Sequence, residues 1–409
     1  MDETGVCVVR TTPQWFLRGR LHLERLLALL FGALALGLAA RPALAQDMAP
    51  DDRADAAQRL LENTLASDGG SGIMAAVVED GRVVWHGEAG FANLEQAIPL
   101  AGNHRLRIGS VSKFVTAALV LRLADEGRFD VDAPIRDYLP DLPESYAAVT
   151  ADQLARHLSG MRHYDFGNFA EANNTIYHRW LMEPLEPLVA EPLLAPPGEH
   201  FVYSSFGYNL LGAALEAHLD QRFEQVLQAH LAAPLGLTDT LANDALAIVP
   251  RRAGFYTVTV ANPVFDWMAD GELVNTIYRD DSDLFPSGGL LSTASDLALL
   301  GHAVFATDLL SEAARARLVR STVDAAGEPA RLGPDGYGFG TIQYRRNGEV
   351  WGYGHGGLTN GGSAELIHLP ASGITIAVIA NYNAMGPSAF DRLVRERLPA
   401  LFKGSDPDQ

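Results

Sequence analysis

The chain reads as an α/β (α+β) fold: an antiparallel sheet built from N- and C-terminal segments, flanked by helices and interrupted by an inserted, mostly helical lobe. Two observations carry this. β-Rich apolar runs occur near both ends, at residues 73–86 and 340–381, and are scarce between them. The stretch 130–284 instead holds short helical patterns separated by Pro134, Pro140, Pro143, Pro192, Pro196, Pro197 and Pro234. The predicted lobes are therefore 46–129 with 285–409, and 130–284, with the cleft between them as the natural site.

Taken in order, the chain opens on Arg10, Arg18, Arg20 and Arg25, then an apolar run from Leu26 to Ala40, then Ala43-Leu44-Ala45 before Gln46. That is the pattern of a secretory signal over residues 1–45, cleaved after Ala45; the expected location is periplasmic or secreted, or membrane-anchored if the signal is retained. The single cysteine, Cys7, lies in this segment, so the mature chain offers neither a disulfide nor a cysteine metal site. A helix is expected from Asp51 to Ala66. Strands follow at Ile73–Glu79 and Arg82–His86, joined by Asp80-Gly81, the dipeptide a tight hairpin prefers. Strand character returns at Gly340–Tyr344, Glu349–Gly352, Ser363–Leu369 and Ile374–Asn381, with a turn at Ala371-Ser372-Gly373. Lys and Arg total 31 against 50 Asp and Glu, a net charge of −19. Such a surface repels nucleic acid and anionic lipid, and neither a basic stripe nor a repeat interrupts it.

Chemistry first suggests itself at Ser110-Val111-Ser112-Lys113. Lys113 and Lys403 are the only lysines, and an arginine cannot release its proton near neutral pH whereas a desolvated lysine can. The apolar run Phe114, Ala117, Ala118, Val120, Leu121, Leu123, ending at Asp125-Glu126-Gly127, predicts a buried helix with Ser110 at its start. There the i, i+3 spacing puts both side chains on one face, and free N–H groups favour developing negative charge. Two further segments stand out. Tyr203, in Pro197-Gly198-Glu199-His200-Phe201-Val202-Tyr203-Ser204-Ser205, is expected on a loop at a helix start, where a phenol beside a lysine cation ionises more readily and moves protons. The glycine run Gly352 to Gly362, with His355 inside it, is expected as a loop entering an edge strand, letting a substrate lie against backbone and supplying an oxyanion N–H. His157 and His163 flank Ser159-Gly160 without metal-ligand spacing; Arg162, His163 and Tyr164 are expected to hold the loop beside the cleft.

A Ser-x-x-Lys at a helix start, a Tyr-Ser loop and a His-x-Gly before a C-terminal strand, in that order, resemble the serine β-lactamase and penicillin-binding-protein superfamily. Gly288-Gly289-Leu290-Leu291-Ser292-Thr293 and Pro234-Leu235-Gly236-Leu237 resemble further segments of it. His157-Leu158-Ser159-Gly160, Phe201 to Tyr208 and Leu273-Val274-Asn275-Thr276 look most like the class C-like branch that includes the mitochondrial serine β-lactamase-like protein and its bacterial relatives. The resemblance implies Ser110 as acylated nucleophile, Lys113 as its base, Tyr203 as proton shuttle and His355 in place of the third-motif lysine. The N–H groups of Ser110 and Leu358 would form the oxyanion hole, and Ser205, Gly356 and Gly357 would line the substrate. No cofactor and no metal are implied.

Three departures bear on substrate. Ser205 stands where an asparagine amide is usual, Gly356 where a threonine or serine hydroxyl is usual, and histidine at 355 is at most partly cationic at neutral pH. Each weakens the anchoring of an anionic ligand, which favours an esterase or peptidase acting on a small-molecule or peptide acyl substrate over a β-lactamase or D-alanyl-D-alanine carboxypeptidase. A non-catalytic, filament-forming or ligand-sensing member is the alternative from another class, and a homo-oligomer stays open.

Overall fold

The structure, a computed structural model, describes residues 50–165, 168, 171, 173–258, 271–383 and 388–402. The expected leader and Cys7 lie outside the described residues. Helix α1 (Pro50–Asp68) precedes strands β1 (Gly72–Glu79), β2 (Arg82–Asn93) and β3 (Ile98–Pro99); α2 (Val111–Asp125), α3 (Ser205–Leu219) and α4 (Ala294–Ala306) follow. The C-terminal part supplies β4 (Arg331–Leu332), β5 (Asp335–Tyr337), β6 (Ile342–Arg346), β7 (Glu349–Thr359), β8 (Gly362–Leu369) and β9 (Ile374–Ala380). All nine pair antiparallel in one sheet, ordered β3-β2-β1-β9-β8-β7-β6-β5-β4. N- and C-terminal segments thus meet at β1 and β9, where Ile73 lies opposite Ala380 and Val78 opposite Thr375.

Both faces of this sheet are covered, which is why β1 reads as an unbroken apolar run. Ile73, Ala75 and Val77 join a cluster with Ala57 and Leu61 of α1 and with Phe390, Leu398 and Phe402 near the C-terminus. Their neighbours Met74, Ala76 and Val78 join the larger cluster with Phe114 and Leu121 of α2 and Leu297, Leu300 and Val304 of α4. The period-2 alternation of a strand sends successive side chains into two different cores. Each fully buried side chain of this size contributes roughly 1.5–3 kcal/mol. The hairpin forms at Asp80 and Gly81 with φ of 48° and 75°, the paired positive values of a type I′ turn.

Two differences from the sequence reading matter. The stretch 130–284 contains helices at Ala151–Ala155, Met182–Val189, Ser205–Leu219 and Phe223–Leu227, but also short strands. Tyr256–Val258 pairs with Leu273–Asn275 and, in parallel, with Tyr382–Asn383; Leu241–Ala242 and Leu106–Arg107 both pair with Leu290–Ser292. Two- and three-residue pairings carry no readable periodicity. The second difference is the glycine run, which is strand β7 itself rather than a loop before a strand, and β7 lies inside the sheet, between β6 and β8.

Candidate active site

The pairing of Leu106–Arg107 with Leu290–Ser292 brings the chain to Ser110, the residue immediately before α2. Ser110 is the N-cap by position, yet its φ of −63° and ψ of −8° are helical and its hydroxyl makes no capping bond, so the Oγ is free for other chemistry. Helix α2 closes with the Gly127 N–H on the Ala124 carbonyl and the Arg128 N–H on that of Leu123. Gly109 holds φ of +50°, and a Cβ there would stand 2.9 Å from the Leu358 nitrogen. Only glycine lets the turn before Ser110 and β7 approach this closely.

Lys113 is fully buried. Its Nζ lies 3.2 Å from Ser110 Oγ and donates to Ser205 Oγ at 2.9 Å and to the Ser287 carbonyl at 2.8 Å. Among the described residues no carboxylate pairs with it. Burial without a compensating anion pushes the amine down to about 7. Ser205 therefore meets the lysine through its hydroxyl although it lacks the usual amide.

Tyr203 is half-buried on the loop before α3, where Ser204 caps the helix by accepting from the Gly207 N–H at 3.0 Å and donating to the Arg162 carbonyl at 2.6 Å. Lys113 Nζ lies 5.0 Å from the centre of the Tyr203 ring. The expected ease of ionisation is reversed: burial pushes the phenol up to about 12 and outweighs its hydrogen bond with Ser110. Burial of the phenol thus outweighs what the neighbouring amine, itself held near 7, can return, and Tyr203 keeps its proton at neutral pH.

Strand β7 pairs with β6 only as far as Gly354, opposite Ile342, whereas its pairing with β8 continues to Thr359. From His355 onward its other side is left to the turn that carries Ser110, with Gly357 against the Ile108 carbonyl. A Cβ on Gly357 would lie 2.0 Å from the Ile108 carbonyl oxygen, and one on Gly356 2.8 Å from Glu365 Oε2. These close approaches are what put glycines into a strand, against its usual composition. The Leu358 side chain is exposed. His355 is buried; its Nδ1 lies 2.6 Å from the Gly356 carbonyl and its Nε2 3.1 Å from the Tyr337 hydroxyl. Burial first, and the nearby Lys113 second, push its ring down to about 3. Expected as a partial cation facing the substrate, His355 is instead a neutral ring engaged with Tyr337 and the strand backbone.

The loop residues behave as the sequence suggested: Arg162 pairs with Glu171 and Glu191, each at 2.6 Å. Sequence reasoning missed four contributors. Ser287 acts through a carbonyl, which no residue type signals. Arg107 is buried against Asp281 at 3.1 Å and donates to the Asn360 carbonyl at 2.8 Å, locking the turn after β7. His157 and Tyr337 line the floor, and only the His-Leu-Ser-Gly pattern around His157 was visible beforehand.

A protein-family model described as Beta-lactamase matches residues 57–400. The human serine beta-lactamase-like protein LACTB, mitochondrial, is 27% identical over 316 residues, which cover 61% of this chain and 56% of the relative. The chain thus spans little more than half the length of that relative. A D-aminopeptidase of Cereibacter sphaeroides (strain ATCC 17023) is 26% identical, with coverage of 85% and 63%. The crystal structure of SurE superposes with a TM-score of 0.70 at 25% identity, covering 86% of this chain and 76% of SurE. With the family match spanning nearly all of the described residues, and a serine, lysine and tyrosine gathered at one helix start, the chain belongs to the beta-lactamase family of serine hydrolases.

Proposed function

We propose that this protein is a secreted or periplasmic hydrolase, exported by the leader ending at Ala45, that cleaves an ester or amide through a Ser110 acyl-enzyme. The observation that carries this is the setting of Lys113, a buried amine 3.2 Å from Ser110 Oγ whose partners among the described residues are all neutral acceptors. As Ser110 Oγ attacks the acyl carbon, its proton passes to the neutral Lys113 amine. The N–H groups of Ser110 and Leu358 receive the oxyanion. The Tyr203 hydroxyl protonates the departing alkoxide or amine and is reprotonated from the Lys113 ammonium. Water then attacks the ester, giving its proton back through the same groups and restoring Ser110.

The acyl substrate is uncharged where it meets β7. A neutral His355 already bonded to Tyr337 and Gly356, with Gly356 itself offering no hydroxyl, gives a substrate carboxylate neither a cation nor a hydroxyl from these two positions. This favours esters and amides, the latter in keeping with the name of the D-aminopeptidase relative, over β-lactams. Incubation with a fluorophosphonate probe tests the nucleophile: label on Ser110 that disappears in Ser110→Ala supports it, and equal labelling of the variant refutes it. Parallel assays with p-nitrophenyl esters, D-amino-acid amides and nitrocefin test the substrate class, and nitrocefin as the best of the three would overturn the preference.

A further inference from the structure

His157, buried and outside the three motifs, touches each of the three consecutive residues that position the phenol. Its carbonyl accepts the Val202 N–H at 2.8 Å, its ring lies 4.3 Å from that of Tyr203, and its Nδ1 accepts the Ser204 N–H at 3.1 Å. It does so at φ of +60°, a left-handed conformation uncommon outside glycine. Its Nε2 lies 3.1 Å from the Tyr337 hydroxyl, which in turn lies 3.1 Å from His355 Nε2.

The main-chain partners fix the tautomer of each ring. A main-chain N–H can only donate, so His157 Nδ1 is bare and its neutral ring carries the proton on Nε2. A main-chain carbonyl can only accept, so His355 carries its proton on Nδ1 and leaves Nε2 bare. The Tyr337 oxygen therefore accepts from His157, and its one proton faces two acceptors, His355 Nε2 at 3.1 Å and the hydroxyl oxygen of Tyr208, whose own proton goes to the Ala155 carbonyl; His355 Nε2, which has no other donor among the described residues, is the one assigned to it. The two rings are opposite tautomers joined by one oriented hydroxyl, and the chain of bonds runs from the Ser204 N–H to the Gly356 carbonyl.

We propose that His157 and Tyr337 are positioning residues for the Ser110 reaction, forming with His355 a one-directional hydrogen-bonded bridge beneath the site that ties the Tyr203 loop to the free side of β7. The inference rests on the reading of Ser110 as nucleophile. The bridge sets the separation between the proton donor at Tyr203 and the backbone against which the acyl group lies, a geometry in which an error near 1 Å costs roughly a hundredfold in rate. Neither residue touches the reacting atoms.

The test uses Tyr337→Phe, which keeps the ring and removes the bridging hydroxyl, and His157→Asn beside His157→Leu. Asparagine tolerates the left-handed backbone and keeps an acceptor for Ser204; leucine does neither. Fluorophosphonate titration counts competent sites, and p-nitrophenyl ester turnover is expressed per competent site. The expected result is a fall in kcat of about 10–100-fold for Tyr337→Phe with KM within about threefold. His157→Asn is expected to retain more kcat than His157→Leu, and Tyr337→Phe with His157→Asn to be little worse than Tyr337→Phe alone. Wild-type kcat per competent site in Tyr337→Phe, or fully additive losses, would overturn the proposal, since a merely structural role lowers the number of sites and not their rate. Nitrogen-15 shifts of the histidine rings check the bridge without turnover: His157 protonated on Nε2 and His355 on Nδ1 support it, and matching tautomers refute it. A wild-type protein that neither labels nor turns over, yet shows opposite tautomers, would remove the Ser110 reading and leave the bridge standing as geometry alone.

Discussion

Lys113 donates to the main-chain carbonyl of Ser287 at 2.8 Å, and that single bond does much to orient the amine. A neutral amine has two N–H groups and one lone pair. With one N–H on Ser287 and the other on Ser205 Oγ at 2.9 Å, the lone pair is left facing Ser110 Oγ. The amine is aimed at Ser110 by these two neighbours.

The pH dependence of kcat/KM follows from the depressed lysine. Lys113 works only when deprotonated, and its folded value is near 7, so activity is expected to rise with pH and level off above it. Below that value kcat/KM should fall about tenfold per pH unit. A profile flat from pH 5 to 9 would exclude Lys113 as the base.

Lys113→Met should stabilise the fold while abolishing turnover. Because the amine is lowered from 10.5 to about 7, the unfolded chain binds a proton that the native protein does not hold between those values. The sign is therefore that this burial cost is fully present below pH 7 and declines as pH rises toward 10.5. At pH 7 it corresponds to about 4 kcal/mol, less about 1–2 kcal/mol for the unpaired Ser287 carbonyl. Denaturant titration at pH 7 and pH 10 checks both the gain and its decline.

Ser205→Ala removes the acceptor of one Lys113 N–H and frees the amine to turn. A fall in kcat of about 10–100-fold is expected, with loss of stability of about 1–3 kcal/mol from the unmatched N–H. Unchanged kcat would mean that Ser287 alone orients the base.

Gly357→Ala should be worse than any of these for folding. Its Cβ would stand 2.0 Å from the Ile108 carbonyl oxygen, so β7 and the nucleophile turn must part. A loss above about 2 kcal/mol is expected, together with loss of fluorophosphonate labelling. Calorimetry of the variant beside wild type reads the first, and retained labelling would contradict the second.

Arg107→Leu tests the support behind the oxyanion side. Asp281 would keep Arg279 at 3.2 Å but lose Arg107, and the Asn360 carbonyl would lose its donor. Breaking a buried pair of this kind costs about 3 kcal/mol. A melting temperature equal to that of wild type would show the pair to be neutral.

The parts of the site legible in the sequence are those whose chemistry belongs to a residue type. A lysine three residues after a serine at the start of an apolar helix announces a base and a nucleophile, and the alternation in β1 announces a strand. The glycine run was legible as chemistry and misread as structure, because composition argues against a strand where a neighbouring backbone demands one. His355 was read as a partial cation because its side chain titrates near neutrality in water, whereas burial decides otherwise. His157 was visible as part of the His-Leu-Ser-Gly segment that carries the family resemblance but without a role, and Tyr337 carried no signal, since their roles arise from contacts across some two hundred residues of chain.

By itself, then, the sequence determined the sheet drawn from both ends of the chain and the helix that starts at Ser110, and it singled out Ser110, Lys113 and Tyr203, which the fold places side by side. Only the tertiary structure decided that the Lys113 amine is desolvated, that Tyr203 keeps its proton, and that His355 is a neutral ring bonded to Tyr337. The physical reason is common to all three. Protonation state and hydrogen-bond direction are set by desolvation and by partners distant in the chain, and neither exists until the fold closes around them.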